Sequence, residues 1–120
     1  MSMNKNYYVI AGCDLTRYRT DSYKKWKWTD EGERMTCNQS KGHIQFFDDP
    51  MDGYHLYLGS VLASGDEYDF PTVKINMKEV ERLKPYVFNK IEQLVIDGVL
   101  PGTLLSEDIK YEVIVFEEVT

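Results

Sequence analysis

The sequence predicts an α+β fold: a mostly antiparallel sheet of about six strands with one long, proline-kinked helix packed on one face. Three observations lead there. Only one segment, Asn76 to Gly98, keeps apolar residues at helical spacing. The rest of the chain breaks into short β-rich runs separated by turn residues. A length of 120 residues makes a single domain, 1–120, long enough to bury a core without staples.

Tyr7 to Cys13 is β-rich and nearly continuous in apolar character, as in a central strand covered on both faces. Thr16 to Thr29 interleaves cations with aromatic rings, and its tail, Tyr23 to Trp28, reads as a strand with Trp26 and Trp28 on one face. Asp30 to Glu33 reads as a turn, Arg34 to Cys37 as the returning strand, and Asn38 to Gly42 as a polar loop. His43 to Phe47 and Tyr54 to Ala63 form an antiparallel hairpin across the turn-rich stretch Asp48 to Gly53. In its second arm His55, Tyr57 and Gly59 share one face, and Tyr54, Leu56, Leu58, Ser60 and Leu62 the other. Ser64 to Phe70 is an acidic loop, and Pro71 to Ile75 leads into the helix.

Asn76 suits an N-cap, with Glu79 placed three residues on to return a bond to the cap backbone. Val80, Leu83, Val87, Ile91, Leu94 and Val95 draw one apolar stripe, and Gly98 supplies a left-handed end. Pro85 removes one hydrogen bond and crowds the preceding turn, at roughly 3 kcal/mol. Either a kink near Lys84 or two short helices, the second starting at Pro85, follows. Such a kink most simply wraps the helix around a sheet, a functional hinge being the alternative. Val99 to Leu105 is a connector. Ile109 to Val119 is the last strand, with Tyr111, Val113 and Val115 on one side and Glu112, Ile114 and Phe116 on the other. The first and last strands are the most apolar, and are expected side by side with the first one central.

Formal net charge is −6, which excludes general nucleic-acid binding, since that requires cations to displace counterions from phosphates. The charge is uneven. Leu15 to Lys41 holds seven basic residues against four acidic ones, whereas Gly42 to Pro71 holds six acidic residues and no lysine or arginine. One basic and one acidic lobe allow head-to-tail homo-oligomers, or present either face to a partner, or pair with each other. No apolar run reaches membrane-spanning length and no basic–apolar–small leader precedes Tyr7, so a cytoplasmic protein without membrane contact is expected. Cys13 and Cys37 then read as reduced and packed.

Reactive chemistry finds no motif to start from. Cys13, Cys37, His43 and His55 have no metal-ligand spacing, and Asp48 to Gly53 lacks the alternating ligands of a calcium loop, so neither a metal nor another cofactor is expected. Cys37 with His43, or Cys13 with His55, would make a nucleophile–base pair if the fold joined them. Asp48 with Asp52, or Asp66 with Asp69, would serve a metal-dependent hydrolase from a turn. The richest candidate is the basic–aromatic segment: Arg17, Tyr18, Arg19, Tyr23, Lys25, Trp26 and Trp28. Tryptophan, tyrosine and arginine concentrate binding energy at protein contacts, and the same mixture stacks on a base while neutralising its phosphate. The bland alternative buries the tryptophans in the core while the lysines snorkel outward. The acidic residues Asp48, Asp49, Asp52, Asp66, Glu67 and Asp69 form a second candidate contact, able to imitate phosphates.

The stretches WKWTDEGERMTC, KGHIQFFDDPMDGYHLYLGSVLASGDEYDF and YEVIVFEEV resemble a group of small uncharacterised proteins from bacteriophages and prophages of Gram-positive bacteria. The resemblance implies an accessory protein that binds and redirects a host protein or neutralises a defence system; it carries no functional residues with it. The reading that results is a non-enzymatic binding protein acting by occupying a host protein. Sequestration of a small anionic, nucleotide-like ligand is the second reading and a minor metal-dependent hydrolase the third.

Overall fold

The computed structural model describes residues 5–37, 43–48, 55–69, 72–106 and 108–119. Four strands form one antiparallel sheet: β1 (Lys5–Asp14), β2 (Ile44–Asp48), β3 (Leu56–Asp66) and β4 (Tyr111–Val119), in the order β2-β3-β1-β4. Helices α1 (Asp21–Trp26) and α2 (Asp30–Cys37) lie between β1 and β2, and α3 (Met77–Ile96) between β3 and β4. Short 3₁₀ turns occupy Thr16–Tyr18 and Gly102–Ser106. Because β3 and β4 both run antiparallel to the β1 strand between them, they are parallel to each other. Parallel strands require a long crossover, and α3 supplies it across the face of β1.

The α+β class holds, with β1 inside the sheet and beside β4 as expected, but the described residues contain four strands rather than about six. Tyr23 to Trp26 and Arg34 to Cys37 are helical and Lys27 and Trp28 form the turn between the helices, so there is no strand hairpin here. The reason is capping. Thr20 accepts from the Tyr23 amide at 3.4 Å and opens α1, and Thr29 accepts from the Gly32 amide at 3.1 Å and opens α2. Each threonine is followed by an aspartate, which complements the positive end of the helix. Gly32 is required where the two helices meet: a Cβ there would lie 2.1 Å from the Trp26 carbonyl oxygen.

The helix α3 matches its stripe: Val80, Leu83, Val87, Ile91 and Leu94 are buried. Asn76 caps it, its side chain accepting from the Lys78 amide at 3.0 Å. Glu79 does not complete a capping box; it is held by Arg82 through two bonds, at 3.0 and 2.5 Å. Pro85 sits inside one continuous helix on its wet side, so the two-helix alternative does not apply. At the other end Gly98 has φ +79°, and the amides of Gly98 and Val99 return to the carbonyls of Val95 and Leu94 at 3.1 and 2.9 Å. That closes the helix as a Schellman motif, with Val99 and Leu94 in the same buried cluster.

Two cores result, one on each side of the sheet. On the helical side Cys13, Phe46, Leu56 and Leu58 pack with α1, α2 and α3 through Tyr23, Met35, Val87, Ile91 and Leu94. On the other side Tyr8, Ile10, Phe47 and Val61 are buried, with Tyr57, Ile114 and Phe116 against them. No described helix covers this second cluster; the sheet covers it by curling. Phe116 is level with Tyr8, while Phe47 is level with Tyr57 and Asp14. In a flat sheet Phe47 and Phe116 would stand about 14 Å apart laterally and about 20 Å along the strands. Their ring centroids are 5.4 Å apart, and those of Tyr57 and Phe116 are 4.9 Å apart. The sheet therefore folds its far corners together over a concave aromatic face. Two features assist it. Leu62 is the extra residue of a bulge where the β1–β3 register shifts, and bulges sharpen twist. Gly12 and Gly59 face each other so closely that a Cβ on Gly12 would lie 2.1 Å from the Leu58 oxygen.

Candidate partner-binding surface

The basic–aromatic segment folds as a helical cap on the β2 edge of the sheet, and that cap sorts its residues into inner and outer sets. Tyr23 is fully buried with its ring edge-on to Phe46 at 5.2 Å. Trp26 is partly buried and also meets Phe46 edge-on, at 5.6 Å. Tyr18 is buried as well. These three are core residues, as the snorkelling alternative has it for Trp26 but on a helix instead of a strand.

Asp48 is the anchor of the cap. Its side chain, 3% exposed, closes β2 and points at α1. It accepts from the Tyr23 hydroxyl at 2.9 Å, pairs with Lys27 at 2.9 Å and pairs with Arg19. Two cations and a hydroxyl around one carboxylate satisfy a charge that burial alone would expel. The Tyr23 hydroxyl is pushed well above its ordinary range, first by burial and then by the Asp48 charge. Asp48 was expected on a solvated acidic turn, and this is a correction: it is an internal counter-ion. Asp49 and Asp52 lie outside the described residues.

What remains outward is one ring, Trp28, and three cations of the same segment, Arg17, Lys24 and Lys25. Trp28, in the turn between α1 and α2, is 74% exposed, with the Lys27 ammonium 5.5 Å from its ring centre. Lys24 and Lys25 are exposed on α1, and Arg17 is exposed with its guanidinium 5.5 Å from the Tyr18 ring centre. Lys27 thus bridges the buried Asp48 and the exposed Trp28. The paired Thr–Asp caps and the three-residue spacing of Tyr23 and Trp26 were the available signals for this arrangement.

The other acidic candidates lie at the opposite end of β1, where Asn6 pairs with Asp66. Asp66 accepts from the amides of Tyr68 and Asp69 at 2.9 and 2.8 Å, which makes it a turn former. Glu67 and Asp69 are exposed beside Tyr68, itself 90% exposed. The structure does not bring this turn together with Asp48.

For reactive chemistry the geometry separates the expected partners. Cys13 is a buried free thiol in the helix-side core, and burial, with Glu112 adding to it, pushes it up to about 12. His55 lies on the concave side, stacked on Tyr57 at 4.6 Å and 3.6 Å from the buried Glu118 carboxylate. The Cys13–His55 pair is therefore split by the sheet. His43 is exposed, and the Cys37 side chain lies outside the described residues. Tyr8 beside Glu118 is raised by burial first and by that carboxylate second. Among the described residues no group of three or more His, Cys, Asp or Glu could hold a metal ion.

A groove of about 470 Å³ runs between α3 and β3, lined by Ser60, Leu62, Glu79, Arg82 and Tyr86. A second, of about 410 Å³, lies between Phe88, Glu92, Leu105 and Ile109. Neither has a cysteine or histidine in its lining. No described helix is long and apolar enough to cross a membrane.

Fold and surface together define a small α+β protein carrying an outward tryptophan with Lys27 against its ring. No protein-family model, curated protein or solved structure matches this chain.

Proposed function

We propose that this protein is a non-enzymatic binding protein of phage type that acts in the bacterial cytoplasm by occupying a host protein, in an inhibitory or anti-defence role. The observation that carries the reading is Trp28: a large ring held out in solvent beside Lys27, on a cap anchored by a buried ion cluster. Exposed tryptophan is costly to leave in water, and rigidly presented tryptophan with flanking cations is the composition of an interface hot spot. The exposed Arg17, Lys24 and Lys25 of the same cap favour an acidic partner surface.

Nucleotide sequestration draws less support. Two of the cations it would use, Arg19 and Lys27, are already engaged by Asp48. Hydrolase chemistry draws less still, since Asp66 is occupied with turn amides.

The test is capture from host lysate with wild-type protein and a Trp28→Ala variant as parallel baits. A host protein retained stoichiometrically by wild type and lost with the variant, at unchanged melting temperature, is the expected result. Equal recovery by both baits removes the surface from consideration. Tight calorimetric binding of a nucleotide, abolished by Trp28→Ala, would move the assignment to the second reading.

A further inference from the structure

The outer edge of β4 offers a binding surface independent of Trp28. Among the described residues no strand pairs with it, since β4 closes one side of the sheet order. Proteins blunt such edges with proline, inward lysine, bulges or short strands, because unpaired amides and carbonyls recruit another strand. Tyr111–Val119 is a nine-residue strand free of proline and lysine, and its register with β1 shows no shift; its one inward charge, the buried Glu118 beside His55, sits at the end of the strand, outside residues 111–117. Val115 is 65% exposed on the side where Tyr111 and Val113 are covered in the helix-side core.

We propose that β4 pairs antiparallel with β4 of a second copy about a two-fold axis through Ile114, joining two sheets into one. The register follows from the side chains. In an antiparallel pair, facing residues share one side of the sheet, so the axis passes through a residue. Centring it on Val115 pairs the whole strand but sets Glu112 directly against Glu118 of the second copy, and like charges in that position destabilise. Centring it on Val113 keeps only residues 111–115 in the ladder, and centring it on Phe116 sets the exposed Val115 against Glu117 of the second copy and Ile114 against its Glu118. Centring it on Ile114 pairs residues 111–117, puts Val113 against Val115 of the second copy twice over, and leaves no carboxylate facing another. The exposed valine is then covered, which makes a second copy the complementary occupant.

Light scattering after size exclusion, over a concentration series of the full chain, tests the assignment. The expected result is twice the 14.1 kDa chain mass for wild type and the single-chain mass for Val115→Lys, with the variant's melting temperature matching diluted wild type. Under mild oxidation Ile114→Cys should yield a covalent dimer and Val115→Cys far less. A single-chain mass at every concentration overturns the proposal, including the case in which another protein's strand fills the edge. A dimer untouched by Val115→Lys, or cross-linked through Val115→Cys instead, overturns it equally.

Discussion

Removing the Asp48 carboxylate tests whether the helical cap is held by a buried ion cluster or merely rests on the sheet. In Asp48→Ala the Tyr23 hydroxyl, on a fully buried ring, loses an ionised acceptor 2.9 Å away. A hydrogen bond to a charged group contributes about 1.5–3 kcal/mol, and leaving its buried partner unmade costs in that range. Arg19 and Lys27 also lose their counter-ion, but their side chains are 21% and 24% exposed and recover part of their hydration. Each therefore adds about 1 kcal/mol, below the cost of a fully buried orphan charge. The total is about 3–5 kcal/mol, a large share of the roughly 5–15 kcal/mol that holds a domain folded. Urea unfolding followed by circular dichroism at neutral pH measures it, and a parallel thermal melt should fall by about 4 °C per kcal/mol lost. The decisive control is Tyr23→Phe, which should cost about 1.5–3 kcal/mol in wild type and almost nothing in the Asp48→Ala background. Asp48→Ala within about 1 kcal/mol of wild type, or additive double mutants, would refute the cluster as the cap's anchor.

Two further outcomes follow from the geometry. Gly12→Ala should cost about 3 kcal/mol or more by thermal melt, because its Cβ would lie 2.1 Å from a β3 backbone oxygen that cannot step aside. Gly102→Ala, which meets nothing within 4 Å, should be neutral or slightly stabilising and serves as the control. In alkali, Cys13 and Tyr111 both hold their protons up to about 12 in the folded chain, chiefly through burial. The unfolded thiol and phenol ionise near 9 and 10, so above those values the folded state binds more protons than the unfolded one. Their contribution is complete below pH 9 and is lost as pH rises toward 12, and Cys13→Ala should flatten the early part of that decline in a urea series run at each pH.

Much of the fold was legible because its signals are local. The stripe from Val80 to Leu94 needs only the helical period, Asn76 and Gly98 need only their own backbone preferences, and the two arms of the hairpin carry their alternation within a few residues. The same alternation named the two faces of β4 correctly, with Tyr111 and Val113 toward the helix and Ile114 and Phe116 toward the concave core. Strand propensity misled where aromatic residues crowd a short helix. Tyr23, Trp26 and Trp28 favour strands as residue types, and two Thr–Asp caps outweighed them once Phe46 gave the rings a surface to meet.

By itself, then, the sequence determined the extended period of β1, β2, β3 and β4 and where α3 begins and ends, since those depend on neighbours along the chain, but not the helical state of α1 and α2. Tertiary structure alone decided which charges leave water and which rings stay in it. Asp48 became an internal counter-ion because folding brought Arg19, Tyr23 and Lys27 to it from more than twenty residues away. Trp28 stayed outside although Trp26, two residues earlier, went in. The curl that joins Phe47 to Phe116 has the same origin: a register shift and a glycine pair shared between β1 and β3 assist it, and desolvation is settled by contacts between strands, which a one-dimensional pattern does not contain.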